Sequence, residues 1–202
     1  MKVNKMKRRR TTKDLTTIAI LTALSSILFL IEIPIIAFYK LDLSNLPVLL
    51  GAFAIGPWAG AVILLLKDLI GMLHSTSMYV GELADFLSGL AFILPAALLY
   101  WTGKTQKRAI WGMVIGTLVL IPVSVAINKF IMIPFFMNAY GMPMEAVVSM
   151  ATSVLPFVDT EWKLLLCVTA PFNLIKGIVI SLITYFVYKP LSPMLHTGGT
   201  RK

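Results

Sequence analysis

Residues Pro47–Leu73 read PVLLGAFAIGPWAGAVILLLKDLIGML, and the Gly56-Pro57 pair at their centre decides how the chain is threaded. The run is apolar enough to be one long helix. Proline, however, has no N–H to donate and its ring clashes with the preceding turn, so the helix breaks midway. Further apolar runs, Leu15–Ala37, Leu83–Trp101, Ala109–Phe136 and Leu164–Tyr188, are each long enough for a hydrocarbon core of ~30 Å. Basic clusters show which ends share a side. Seven of the 18 Lys and Arg residues fall within the first 13 positions, and Lys104, Lys107 and Arg108 form a second cluster. Both belong on the cytoplasmic side, which requires an even number of crossings between them. An unbroken Pro47–Leu73 gives an odd number, and a break at Gly56-Pro57 makes it even. The two remaining runs then return Lys189, Arg201 and Lys202 to the same side. The sequence thus predicts an all-α, polytopic membrane protein of six transmembrane helices with cytoplasmic N- and C-termini. Its parts are a basic tail over 1–14, a six-helix membrane domain over 15–190 and a second tail over 191–202.

Composition agrees with that threading. Hydrophobic residues make up 58% of the chain and charged residues 13%. The formal charge of +9 sits in the tails and in the Gly103–Arg108 connection, flanking apolar spans, so lipid headgroups rather than nucleic acid are the anionic neighbours. Leu15–Ala37 is too long for a signal-peptide core and lacks a small-residue cleavage site, so it reads as a retained first helix. Cys167 stands alone, which excludes an internal disulfide, and its apolar neighbours predict a buried thiol.

Each half of Pro47–Leu73 is short at ~1.5 Å per residue, and neither is expected to span the core alone. Irregular backbone at membrane depth is tolerated where it lines a cavity. This pair, with the connections Phe38–Leu46 and His74–Val80, is therefore expected to flank a site open to the outside. Between Asn138 and Lys163 a longer external loop carries Met144–Val154, which reads as a short helix lying over the outer face as a lid. No internal repeat or low-complexity tract argues for a second domain.

Outside the tails and the Gly103–Arg108 connection, five cationic residues remain: Lys40, Lys67, Lys129, Lys163 and Lys176. A charge at the bilayer centre costs ~3 kcal/mol on insertion scales, so such residues pair, snorkel or line a polar cavity. Lys176 lies three residues after Asn173 in Pro171-Phe172-Asn173-Leu174-Ile175-Lys176-Gly177, so an amide and an ammonium share one helix face. Asn128, in the fifth helix, donates and accepts at once, which suits a heterocycle bearing carbonyls and ring nitrogens. Two readings stand side by side here. Asn128 and Lys176 either meet a ligand, or they cross-link helices, Lys176 pairing with a carboxylate such as Asp68 or Glu82. For Lys67-Asp68 a functional role and a solvated helix boundary stand equally, as do a functional role and simple snorkelling for Lys129 and Lys163. Asp85 suits the amide dipoles at the start of the fourth helix, whereas Glu82, beside Gly81 and near the external connection, has the better claim on a ligand. Asp42 either caps the second helix or reaches the ligand.

Several kinds of chemistry are missing. Gly103-Lys104-Thr105 lacks the earlier glycine of a phosphate loop, because Leu98 stands there. His74 and His196 are isolated, no His-Glu-x-x-His helix exists, and no metal site is expected. No serine lies in a nucleophile elbow. An intramembrane hydrolase built on Glu82, Asp85 and His74 is the enzymatic alternative.

Taken in order, several stretches resemble one family over Thr11 to Pro190. Ala19-Ile20-Leu21-Thr22-Ala23 is similar to the small-residue motif by which the substrate-specificity subunits of energy-coupling factor (ECF) transporters dock on a coupling subunit. Small residues four apart allow close helix approach. Lys40-Leu41-Asp42-Leu43-Ser44-Asn45-Leu46-Pro47 and Gly51-Ala52-Phe53-Ala54-Ile55-Gly56-Pro57 resemble the family's first loop and short second helix. Gly81-Glu82-Leu83-Ala84-Asp85-Phe86 resembles the start of its fourth helix. Asn128 with Pro134, and the Pro171–Gly177 stretch, resemble the branch that takes riboflavin rather than thiamine, biotin or folate.

The resemblance implies a subunit of a bacterial cell membrane that captures riboflavin from outside and hydrolyses nothing. It implies ligand contacts from Asn128, Asn173, Lys176, Glu82, Asp42 and Gly81, with apolar and aromatic side chains sandwiching the rings. It implies docking through Ala19 and Ala23 on a transmembrane coupling subunit driven by two ATP-binding cassette ATPases. Riboflavin is expected as transported ligand and not as cofactor. Alternatives are a subunit for another vitamin of the thiamine, biotin or folate class, an intramembrane enzyme, and a self-sufficient facilitator.

Overall fold

A computed structural model of the chain describes residues 12–36 and 39–196, with side chains described as far as Tyr188. The basic positions before Thr12, the side chain of Lys189, and Arg201 and Lys202 lie outside the described residues. Helix α1 (Thr12–Leu30) ends well before the hydropathy run Leu15–Ala37 does. Pro34 pushes Ile33 out of the helical region, and Ile31, Ile33, Ile35 and Ile36 are β-branched. The chain forms a hairpin there instead. Strand β1 (Ile33–Ile36) pairs antiparallel with β2 (Tyr39–Leu41), with Ile33 opposite Leu41. The all-α expectation is corrected to this extent.

Helix α2 (Asn45–Ala54) stops before Gly56, whose φ of 146° few L residues adopt, and Pro57 opens α3 (Pro57–Gly71) at a position where its missing N–H costs nothing. The break expected at Gly56-Pro57 is therefore present. A 3-10 turn over Met72–His74 lengthens α3 to 18 residues, enough to cross a membrane, so the shortness expected of both halves holds for α2 alone. Trp101 Nε1 donates to the Ala52 carbonyl at 2.9 Å and ties the end of α2 to the end of α4 (Val80–Trp101). The ten residues of α2 are about 15 Å long, against 18 residues or more in the helices it packs among.

Helix α5 (Gln106–Ile127) starts at Thr105, whose side chain accepts the Arg108 N–H. It packs closely on α4, where a Cβ on Gly112 or Gly116 would lie 2.5 or 2.3 Å from the carbonyl oxygen of Ala96 or Phe92. A π-helical turn, Asn128–Met132, joins α5 to α6 (Ile133–Ala139). The short helix expected over Met144–Val154 forms as α7 (Met144–Thr152). Helix α8 (Glu161–Leu164) leads through a second π turn, Leu165–Thr169, into α9 (Ala170–His196).

Among the described residues, five continuous helical stretches are long and apolar enough to span: α1, α3 with its turn, α4, α5 through α6, and α8 through α9. The main core joins α1, α2, α3, α4 and α5 around Phe53, Ile63, Phe92 and Ile93, and Ile180 of α9 closes it. A separate cluster packs α7 against the hairpin and α8 through Tyr39, Val147, Ala151 and Leu164. Large apolar side chains such as Ile27, Trp111, Leu118 and Phe186 point outward, as lipid requires. Cys167 belongs to that outer surface. It is exposed rather than buried: it shares the outer face with Leu166, while Leu164, Leu165 and Val168 on the other face of the helix are the ones that enter the core.

Candidate functional site

A cavity of about 450 Å3 opens between the hairpin and α1, α3, α4, α5, α6 and α9, within the ~300–1,000 Å3 range of small-molecule sites. The positions singled out in the sequence meet there: Asp42, Gly81, Glu82, Asn128, Asn173 and Lys176 all line it. Aromatic walls come from Phe29, Tyr39, Phe136, Tyr140 and Phe172. The Tyr39 and Phe172 rings lie 5.1 Å apart and tilted by 45°. The first π turn borders the cavity through Asn128 and Met132, and the second lies one helical turn before Asn173. An extra residue per turn rotates the helix face and brings Asn128 and Asn173 to the same space.

Each polar side chain is partly committed and partly free. The Asn128 amide donates to the Ser124 carbonyl at 2.9 Å, and its Oδ1 accepts from the Tyr39 hydroxyl at 3.0 Å. Tyr39 also shares a hydrogen bond with the Thr169 hydroxyl, so one phenol ties the hairpin to both π turns. Asn173 donates to the Thr169 carbonyl at 2.9 Å, which leaves its Oδ1 as an acceptor. Glu82 Oε2 accepts from Ser75 at 2.9 Å and from Ser77 at 3.1 Å, leaving Oε1 for a ligand hydroxyl. The Gly81 N–H donates to Ser77 Oγ at 3.0 Å.

Lys176 Nζ lies 2.9 Å from Asp42 Oδ2 and 3.0 Å from Asp85 Oδ1. An ammonium has three donors, so one N–H remains for the cavity. Asp42 lines the cavity and does not cap α2, whose N-cap is Ser44. Its Oδ1 accepts the Ser44 N–H at 2.8 Å, shaping the turn into α2, while Oδ2 holds Lys176. Behind Asp85 lies Lys67, fully buried, paired with Asp85 and with Asp68 at 2.8 Å. Among the described residues, no group of three His, Cys, Asp or Glu is arranged to hold a metal ion. The site therefore offers donors, acceptors and aromatic faces.

Comparisons with known proteins place this fold in a family. The model of the family "ECF transporter, substrate-specific component" matches residues 13–188. The chain belongs to that family. A solved structure described as the S component of a bacterial ECF transporter superposes with a TM-score of 0.70 and 33% identity, covering 92% of this chain and 99% of that one. The riboflavin transporter RibU of Staphylococcus aureus (strain TCH60) is 34% identical over 91% of this chain and 92% of its own length. The riboflavin transporter FmnP of Bacillus subtilis (strain 168) is 25% identical over 91% and 94%. ThiT from Listeria monocytogenes, with a TM-score of 0.52 and 19% identity over 91% of this chain, shares the fold alone.

Other residues of this S component fall where the sequence did not place them. Lys67-Asp68 is no solvated boundary, since Lys67 is 0% and Asp68 2% exposed. Asp85 does not serve the end of α4; it is held between Lys67 and Lys176 five residues inside the helix. Lys176 pairs with Asp42 and Asp85 rather than with Asp68 or Glu82 as the cross-linking reading had it. Lys129 stacks over Trp162 at 3.5 Å, and Lys163 pairs with Asp159 at 2.7 Å on the surface, where Lys163 holds the Asp159 carboxyl below its ordinary value. Residues of α7 do not line the cavity. Ala19 and Ala23 are exposed on one face of α1, away from the site.

Proposed function

We propose that this S component captures riboflavin from outside a bacterial cell and delivers it with an ATP-driven coupling module. The observation that carries the reading is the convergence of Asn128, Asn173 and Lys176 on one aromatic-walled cavity. Two amides and an ammonium supply donors and acceptors in alternation, which matches the pyrimidine edge of an isoalloxazine. Tyr39, Phe136 and Phe172 cover its rings, and Asp42, Gly81 and Glu82 lie where the hydroxyls of a ribityl chain are bound. Names of full-length relatives from two genera support the same ligand.

In this account six helices span the membrane. The short α2 counts as a crossing and both termini are cytoplasmic, as the basic clusters require. Ala19 and Ala23 face the transmembrane coupling subunit, itself driven by two ATPases, and the chain performs no chemistry on its cargo. The test is uptake of labelled riboflavin by vesicles holding this chain with and without the coupling module. Uptake that needs the module and ATP, and that unlabelled riboflavin but not thiamine suppresses, is the expected result. Uptake by the chain alone would make it a facilitator, and competition by thiamine would reassign the ligand.

A further inference from the structure

We propose that Lys67, which does not line the cavity, is a positioning residue for the ligand site and holds the Lys176 ammonium in place through Asp85 and Ser44. The inference rests on the riboflavin reading and says how its central cation is presented. Lys67 Nζ pairs with Asp85 Oδ2, while Asp85 Oδ1 holds Lys176 at 3.0 Å. Lys67 also donates to Ser44 Oγ at 3.3 Å, and that hydroxyl donates to Asp42, the second carboxylate on Lys176. Both supports of Lys176 therefore pass back to one buried ammonium. Phe29 of α1 closes the far side of Lys67, with Nζ 4.4 Å from the ring centroid, and Ser25 of the same helix donates to the Ser44 carbonyl at 2.5 Å.

The charge balance explains why a second lysine is needed. Asp42, Asp68 and Asp85 are three carboxylates, and Lys67 and Lys176 are the two ammonium groups paired with them. Without Lys67, Lys176 becomes the single counter-ion for all three and is drawn into the cluster, away from the ligand. The third N–H of Lys176 reaches riboflavin because Lys67 already serves the deep side of Asp85 and pairs with Asp68 through Oδ1.

The experiment measures riboflavin affinity by fluorescence quenching for the detergent-purified chain and its variants. Lys67→Met is expected to bind roughly tenfold or more weakly, the size of a lost charge-assisted hydrogen bond. Adding Asp68→Asn, which restores the original charge difference, is expected to return affinity to within about threefold of the unsubstituted chain; a packing role of the lysine stem would show no such rescue. Ser44→Ala removes a hydroxyl alone and decides the matter if Lys67→Met does not fold. It is expected to weaken binding several-fold with Lys176 present and not at all in a Lys176→Met background. Unchanged affinity in Lys67→Met, a loss that Asp68→Asn leaves in place, or a Ser44→Ala effect repeated in full without Lys176 would overturn the proposal. Failure of the unsubstituted chain to quench riboflavin would overturn the riboflavin reading itself, and this inference with it.

Discussion

In the proposed account Lys176 is the residue on which ligand binding turns, because it is the lysine of the cavity held by two carboxylates while keeping a donor free. Lys176→Ala removes a charged hydrogen bond of ~1.5–3 kcal/mol, so riboflavin affinity is expected to fall roughly 10- to 150-fold in a folded protein. Equilibrium titration checks this, and unchanged affinity would return Lys176 to a structural role. Tyr39→Phe is the subtler change. It deletes the hydroxyl shared by Asn128 and Thr169, frees both to reorient, and is expected to weaken binding by several-fold while the melting temperature falls by a few degrees. Asn128, Asn173 and Lys176 were legible because each is a polar group that an apolar helix must account for. Lys67 and Asp85 were not. An adjacent Lys-Asp pair looks the same in sequence whether it faces water or a second carboxylate 18 positions away, and burial alone separates the two cases.

At the scale of elements, the break at Gly56-Pro57 followed directly from proline chemistry, and the structure has it at that position. Gly56→Ala puts a Cβ on a backbone with φ 146° and is expected to lower the melting temperature in detergent, by the equivalent of ~1 kcal/mol or more. Gly116→Val is expected to be worse, since its Cβ would press on the Phe92 carbonyl and force α4 and α5 apart at a cost of ~1–3 kcal/mol. Thermal unfolding of both variants checks the order. The hairpin escaped sequence reading because hydropathy does not distinguish an apolar helix from apolar strands. Glu32 and Pro34 were the signals available, a charge and a helix breaker inside one apolar run. The two π turns had no comparable signature. Their effect is visible only when Asn128 and Asn173, on different helices, are found facing one space.

For the whole molecule, five helical stretches apolar enough to span among the described residues and the ring of outward apolar side chains describe a membrane protein, with a polar cavity on the side of the hairpin. The cavity and the α1 face bearing Ala19 and Ala23 are separate surfaces, so in the proposed account binding and docking are expected to fail independently. Replacing Ala19 and Ala23 by leucine is expected to abolish ATP-driven uptake while riboflavin affinity stays within about twofold, because bulky residues prevent close helix approach without touching the cavity. Loss of affinity in that variant would contradict the separation. Ligand binding is the claim on which all the rest depends. Its most direct test is a titration of free riboflavin with the purified, ligand-free chain, following flavin fluorescence with thiamine as competitor. Stoichiometric quenching at nanomolar concentration, indifferent to excess thiamine, is the predicted result; fluorescence unchanged by a folded chain would contradict it.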